Sequence, residues 1–459
     1  MKPAKRFLML AAAWVGLAGA ASAGDIQRLT LDEAVAMATR NNALVREATA
    51  RSRAAVEAHR AARADLLPKA SAAYGYAHLK DQPFMYFEKA VVVPPGLTVG
   101  SQRIEAPTGP RDNFRWEARL TQPLFTGFAL TTRVRMAELG IDIAALEAEQ
   151  ALADVVKQAK VAFFDRLLAR KMLATARDAE GTLAAHARDA RQFYEQGLIA
   201  YNDLLQSEVA LADAVQQRTR AEAAVEMAGA ALNTVIGRPL QAPVALVEAV
   251  TLPSPPPPVD QLISRAESHR PELQRLELAL AQLEAAARLA ASRYYPTVAL
   301  VGRYEQEGDD WRASENDFRN SDNTTIAVQA EWTFFEWGKT RAEVASQRRD
   351  HEALAAKADG VRESIRLEVK DAALNLSVAL ANVETAETAL AQAEENLRIT
   401  RLRYGQQMAT TTEVLDATLA RSQAQTNRHA ARYDALKAEA ELERAVGATG
   451  TTRQGKEGV

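Results

Sequence analysis

The 459-residue chain contains no cysteine. That excludes disulfides, thiolate metal sites, covalent haem attachment and an acylated N-terminal cysteine. Proline is absent after Pro296, so nothing in the last third of the chain forbids very long helices. No apolar run after the first two dozen residues is long enough to cross a membrane as a helix. The net charge is only -3, which gives no electrostatic reason to expect nucleic acid. The six histidines are scattered, no glycine loop precedes a Lys-Ser/Thr pair, and no nucleophile elbow occurs. The residues therefore point to no catalytic constellation, no cofactor and no metal site.

What is present is helical periodicity on an unusual scale. Between Lys339 and Tyr404 the apolar or small residues Val361, Ile365, Val369, Ala372, Leu376, Ala379, Val383, Ala386, Leu390, Leu397 and Tyr404 recur at alternating three- and four-residue spacing. That is a coiled-coil seam. At 1.5 Å per residue the helix would be roughly 100 Å long, and a stripe of that length needs partner helices of similar length. Many seam positions are alanine, which lets neighbouring backbones approach closely. Residues 129–195 carry a second pattern of equal length without proline.

The first residues read as a secretory signal peptide over 1–23: Lys2, Lys5 and Arg6, an apolar run from Phe7 to Leu17, then Ala21-Ser22-Ala23. A first structural repeat follows over 24–258. Thr30 and Glu33 form a capping box for a short helix, a second helix ends at Pro68, and strands are expected at about 69–79 and 113–124. Residues 81–112, punctuated by proline and glycine, read as a loop. The long helix over about 129–195 leads to a return helix over about 203–236, with Asn202 or Asp203 as its cap, and a proline-rich linker from Leu252 to Val259 closes the repeat. The second repeat, 259–447, has strands at about 297–305 and 324–335, the long helix at about 339–404 and a return helix at about 412–446, with 448–459 as tail. Tyr76 and Tyr304 stand 228 positions apart; beyond the strands Phe125 and Phe335, Tyr194 and Tyr404, Asp203 and Glu413, and Gly237 and Gly447 stand 210 apart. One register held across turns, caps and terminators marks an internal duplication.

Each strand pair has one apolar and one polar face, as in Phe114, Trp116, Ala118 and Leu120 against Arg115, Glu117 and Arg119. Such a pattern suits a core-packed sheet, or a barrel with lipid outside and water inside. Four strands cannot close a membrane barrel. Three copies would supply twelve. The fold expected is an α+β membrane protein: a long coiled-coil α-helical barrel plus a transmembrane β-barrel, duplicated within the chain. The alternative is a soluble periplasmic coiled-coil adaptor or scaffold with a small sheet.

The duplicated order resembles the TolC-type outer-membrane efflux family through Leu29-Thr-Leu-Asp-Glu-Ala34, Gln122-Pro-Leu-Phe-Thr-Gly127, Tyr194-Glu-Gln-Gly-Leu198 and Glu413-Val-Leu-Asp-Ala417. The resemblance implies a homotrimer in outer-membrane lipid with a periplasmic helical domain, serving as the exit duct of a tripartite efflux or type I secretion system. Its partners would be a periplasmic adaptor (membrane fusion protein) and an inner-membrane pump.

The candidate working parts are the two tips where paired helices reverse. A hairpin needs only a turn glycine, Gly197, and a cap such as Asp203 or Thr412. The resemblance adds adaptor docking at Gly197, Leu198, Ile199, Leu204, Met408 and Leu415. It also adds a gate at Glu413, Asp416, Asp203 and Tyr404. Gln407 and Ala409 depart from the family pattern there. Tyr76, Trp116, Tyr304, Trp332 and Trp337 are expected at the membrane interface.

Overall fold

A computed structural model describes residues 28–249 and 251–448; the expected signal peptide lies outside the described residues, as does the tail from 449. In chain order the elements are β1 (Arg28–Leu29), α1 (Leu31–Asn41), α2 (Ala43–Ala64), β2 (Lys69–His78), β3 (Phe84–Val93), β4 (Leu97–Pro107), β5 (Asp112–Thr126), α3 (Ala129–Glu195) and α4 (Tyr201–Val235). Then come β6 (Ala245–Leu246), α5 (Val259–His269), α6 (Pro271–Ala291), β7 (Thr297–Gly308), β8 (Asp322–Glu331), α7 (Lys339–Gly405) and α8 (Thr411–Ala445). Among the described helices none is long and apolar enough to cross a membrane.

The chain divides into two units. One comprises the residues up to Ala38, Gln158–Pro253 and Asn382–Lys437. It holds both helix-hairpin tips and the short parallel pair β1–β6. The Thr30–Glu33 capping box is present: the Thr30 amide donates to Glu33 Oε2 at 2.8 Å and the Glu33 amide to Thr30 Oγ1 at 3.3 Å. Tyr433, Phe163, Leu167, Leu232 and Ile236 are its largest fully buried side chains. Each stabilises the packed helices by roughly 2 kcal/mol of apolar burial.

The other unit comprises Thr39–Lys157, Ser254–Ala381 and the residues from Ala438. Leu262, Ala266 and Leu273 pack on Ile365, Val369, Leu376 and Leu442 in its helical core. The seam read along α7 is the buried one: Ile365, Val369, Ala372, Leu376, Ala379, Val383, Ala386, Leu390, Leu397 and Tyr404 are all buried, counting both units. Small residues there shorten the distance between helix axes, as a long seam requires.

The same unit carries an antiparallel sheet in the order β2-β5-β7-β8. Its charges lie on one face. Arg115 reaches Glu307 at 3.1 Å, Arg303 reaches Glu117 at 3.5 Å and Glu305 at 3.6 Å, and Arg119 reaches Glu117 at 3.6 Å. The opposite face presents Tyr74, Trp116, Leu120, Tyr304, Ile326 and Val328, with Ile326 78% and Val328 66% exposed. Neither β2 nor β8 has a second partner strand among the described residues. A sheet with two open edges and an uncovered apolar face is an incomplete structure in water.

Three sequence expectations need correction. Residues 81–112 are not a loop: β3 and β4 pair antiparallel from Phe84↔Pro107 to Val93↔Leu97. The punctuating Pro94-Pro95-Gly96 is the hairpin's own turn, and the apolar run into Val91-Val92-Val93 was the strand signal. The described residues therefore hold the four-stranded sheet, a separate β3–β4 hairpin and the short β1–β6 pair. The last strand stops at Glu331, not 335, because its partner Glu331↔Thr297 already uses the first residue of β7. The return helix α4 starts at Tyr201 with Ala200 at the N-cap and no side-chain cap, so Asp203 sits in the first turn instead of capping it.

Candidate functional site

The two tips are built from the same backbone device. At the end of α3 the Gly197 amide donates to Tyr194 O at 2.9 Å and the Leu198 amide to Phe193 O at 2.8 Å. At the end of α7 the Gln407 amide donates to Tyr404 O at 2.9 Å and the Met408 amide to Arg403 O at 2.8 Å. Both turns need a left-handed residue, with φ 74° at Gly197 and 59° at Gln407. The replacement of glycine by glutamine changes the strain of the second tip, not its shape. Arg403 Nη2 braces it by donating to Met408 O at 3.0 Å.

Thr410 caps α8, its Oγ1 accepting from the Glu413 amide at 3.2 Å. Thr412 is not the cap; its hydroxyl donates to Gln206 Oε1 at 3.3 Å and ties α8 to α4. Tyr404 is buried, its ring 4.9 Å from His186 and 5.5 Å from Phe193, and its hydroxyl 3.3 Å from that of Thr411. Burial pushes the Tyr404 hydroxyl above its ordinary value. Tyr404, His186 and Phe193 line a cleft of about 530 Å³ with Asp178, Asp189 and Arg401.

Glu413 and Asp416 are both exposed and three residues apart, Glu413 in the first turn of α8 and Asp416 in the second. Among the described residues none of the Glu413, Asp416 and Asp203 carboxylates makes a hydrogen bond or ion pair. Leu198 and Met408 are exposed with Gly197, while Ile199 and Leu415 are half-buried. Leu204 is 6% exposed and belongs to the hairpin core, as does Val414 at the matching place in the second copy. The exposed position is its neighbour Leu205, the counterpart of Leu415, flanked by the tilted ring pair Tyr194–Tyr201 at 5.3 Å. The duplication pairs Leu205 with Leu415 but pairs Tyr201 with Thr411, which is buried, so the exposure of Tyr201 had no signal in the sequence.

Of the five candidate interface aromatics, Tyr76, Trp116 and Tyr304 lie on the sheet and Trp332 and Trp337 at the β8–α7 junction. All five are exposed. Trp332 Nε1 donates to Tyr294 O at 3.2 Å.

His186 is buried with its Nε2 unpartnered, and burial holds its imidazole below the ordinary 6.5. The unfolded chain takes up a proton near that value while the folded chain does not, so stability is lost as pH falls below about 6.5. Thermal melting at pH 5.5 and 7.5 should show this loss, and His186→Gln should reduce it. An equal pH dependence in the variant would remove His186 from the account.

Paired long helices, a duplicated strand pair and an unclosed sheet with one charged and one apolar face are the features expected of a duct-type outer-membrane protein. The family model described as outer membrane efflux protein matches residues 34–238 and 262–448, so the chain belongs to that family. The two matched segments fall on the two repeats. Solved structures similar in fold include the CmeC outer membrane channel of Campylobacter jejuni, at 16% identity and a TM-score of 0.73, covering 91% of this chain and 86% of that one. VceC of Vibrio cholerae matches at 17% identity and 0.72, covering 91% and 96%. The open state of MtrE from Neisseria gonorrhoeae matches at 17% and 0.70, covering 91% and 89%. No curated protein matches the chain. Family membership makes the protein an outer-membrane exit duct of efflux and sets aside the soluble-scaffold alternative.

Proposed function

We propose that three copies of the chain join edge to edge, β8 of one against β2 of the next, into a twelve-stranded barrel in the outer membrane. The observation that carries this is the sheet itself: open at both edges, uncovered on its apolar face, and salt-bridged along its polar face. Closure satisfies the edge amides, the bilayer covers Ile326 and Val328, and water fills the lumen beside the Arg/Glu ladder. The helical part then belongs in the periplasm, and the duct works without catalytic chemistry or cofactor. An inner-membrane pump supplies the energy.

The tips form the inner end. Exposed Leu198, Met408, Tyr201 and Leu205 suit docking of an adaptor hairpin, with Gly197 allowing close approach and half-buried Ile199 and Leu415 supporting the surface. Glu413 and Asp416 would each make a ring of three carboxylates, with Asp203 and Tyr404 beside them. Such rings attract cations. Glu413→Gln combined with Asp416→Asn should lower cation over anion preference several-fold in planar bilayers; unchanged selectivity would place these carboxylates outside the constriction.

The deciding experiment is detergent extraction followed by unheated electrophoresis and planar-bilayer recording. A trimer with a largely closed, cation-preferring conductance supports the reading. A salt-extractable species without conductance rejects it.

A further inference from the structure

The hairpin β3–β4 is the part of the chain that the duct account leaves unused. It continues the β2–β5 ribbon past a bend, where the Leu79 amide donates to Arg111 O and the Thr108 amide to Pro83 O, both at 2.8 Å. The second repeat has nothing like it; there β7 and β8 are joined by a short loop folded on Asp310 and Asn316.

Strand alternation gives the hairpin two unlike faces. Met85, Phe87 and Val91, with Ala106, Ile104 and Gly100 across from them, make one face apolar apart from Lys89 and Gln102. Met85 is 53% and Phe87 49% exposed, so nothing among the described residues covers it. The other face carries Glu88, Arg103 and Glu105 around Tyr86, with the Arg103 guanidinium 4.3 Å above the Tyr86 ring. Neither Glu88 nor Lys89 has an ion pair among the described residues. An isolated two-stranded hairpin is marginal in water, and this one needs a partner for its apolar face.

The position of the hairpin and its charges select that partner. It grows from β2, the free edge that meets the next copy in the proposed barrel. Ten residues of strand reach roughly 33 Å, whereas twelve strands 4.8 Å apart and tilted by about 40° enclose a radius of roughly 12 Å. Hairpins turned inward from three copies must therefore meet. A lysine in the middle of the apolar face is costly against lipid tails but complementary to the acidic side of an identical hairpin. A front-to-back contact repeated three times closes on itself.

Resting on the trimeric reading above, we infer that the three β3–β4 hairpins pack front to back about the threefold axis. Lys89 of each meets Glu88 of the next, and together they form an apolar constriction at the mouth of the duct, separate from the tips.

The test uses the full chain, which has no native cysteine. Glu88→Cys combined with Val91→Cys places the two thiols on opposite faces of β3, where they cannot bridge within one copy. Oxidation of the detergent-extracted protein should give covalent trimers. Replacing residues 84–107 by a Gly-Ser turn should raise single-channel conductance at least twofold. Lys89→Glu should raise it as well, and adding Glu88→Lys should restore it. A trimer that neither cross-links nor changes conductance would overturn the inference alone. So would a dye on Val91→Cys that brominated lipid quenches, because the face would then lie in the bilayer. A species that is not trimeric on unheated gels would overturn the assembly and the constriction together.

Discussion

Arg270→Ala is expected to destabilise the protein by about 3–5 kcal/mol, since it removes one partner from a buried ionic cluster. Arg270 is 4% exposed at the α5–α6 break. Its Nη2 donates to Glu368 at 2.7 Å, its Nη1 to Ala445 O at 3.2 Å, and its Nε lies 3.2 Å from Glu272. Arg444 completes the cluster, reaching Asp154 at 2.7 Å and Glu272 at 2.9 Å. Two arginines thus hold α3, α6, α7 and the end of α8 together. Without Arg270, the largely buried Glu272 keeps only Arg444, and the C-terminal carbonyls of α8 lose a cationic donor. Thermal melting of the detergent-solubilised protein measures the effect, with Arg275→Ala as comparison. Arg275 pairs with Glu147 at 3.3 Å near the surface, and its loss should cost less than about 1 kcal/mol. Equal shifts in both variants would show that the cluster contributes no more than a surface pair.

Gly127→Ala is the second large effect, on the order of 2–5 kcal/mol from left-handed strain and overpacking combined. Gly127 adopts φ 59° where β5 turns into α3. An added Cβ would enter the Ser292 carbonyl oxygen and come within 3.0 Å of Tyr295 Cβ. The backbone at Ser292 cannot retreat easily, because it accepts from the Tyr295 amide at 3.1 Å. Gly338→Ala provides the contrast, with φ 79° but nothing within 4 Å, so it should cost only about 1–2 kcal/mol. Folded yield and melting temperature of the two variants separate the terms. If Gly338→Ala were the worse variant, the contact with Ser292 would not be what requires glycine at 127.

The same comparison shows what duplication hides. The residue 210 positions beyond Gly127 is Trp337, also left-handed at φ 52° yet 90% exposed. Sequence register matches the two junctions; their surroundings differ, so glycine is needed in one and a tryptophan is tolerated in the other. The ionic cluster behaves likewise. The first-repeat counterparts of Arg270, Glu368 and Arg444 are Asn42, Gln158 and Thr234, so the register gives no hint of charge. Asn42 instead caps α2, accepting from the Leu44 amide at 2.9 Å.

The sequence by itself determined the long helices, the buried seam of α7, the alternating strands, the duplication and the family. Each of these is a local pattern repeated many times, and periodicity fixes which face a residue takes whatever its distant neighbours are. Tertiary structure alone decided that Leu204 is core while Leu205 is surface, that Thr410 is the cap of α8, that residues 84–107 form a hairpin with an uncovered face, and that Arg270 meets Glu368 and Ala445. Arg270 and those partners stand 98 and 175 residues apart in the chain. Contacts of that kind occur once and have no period, so they exist only after the helices that carry them have packed.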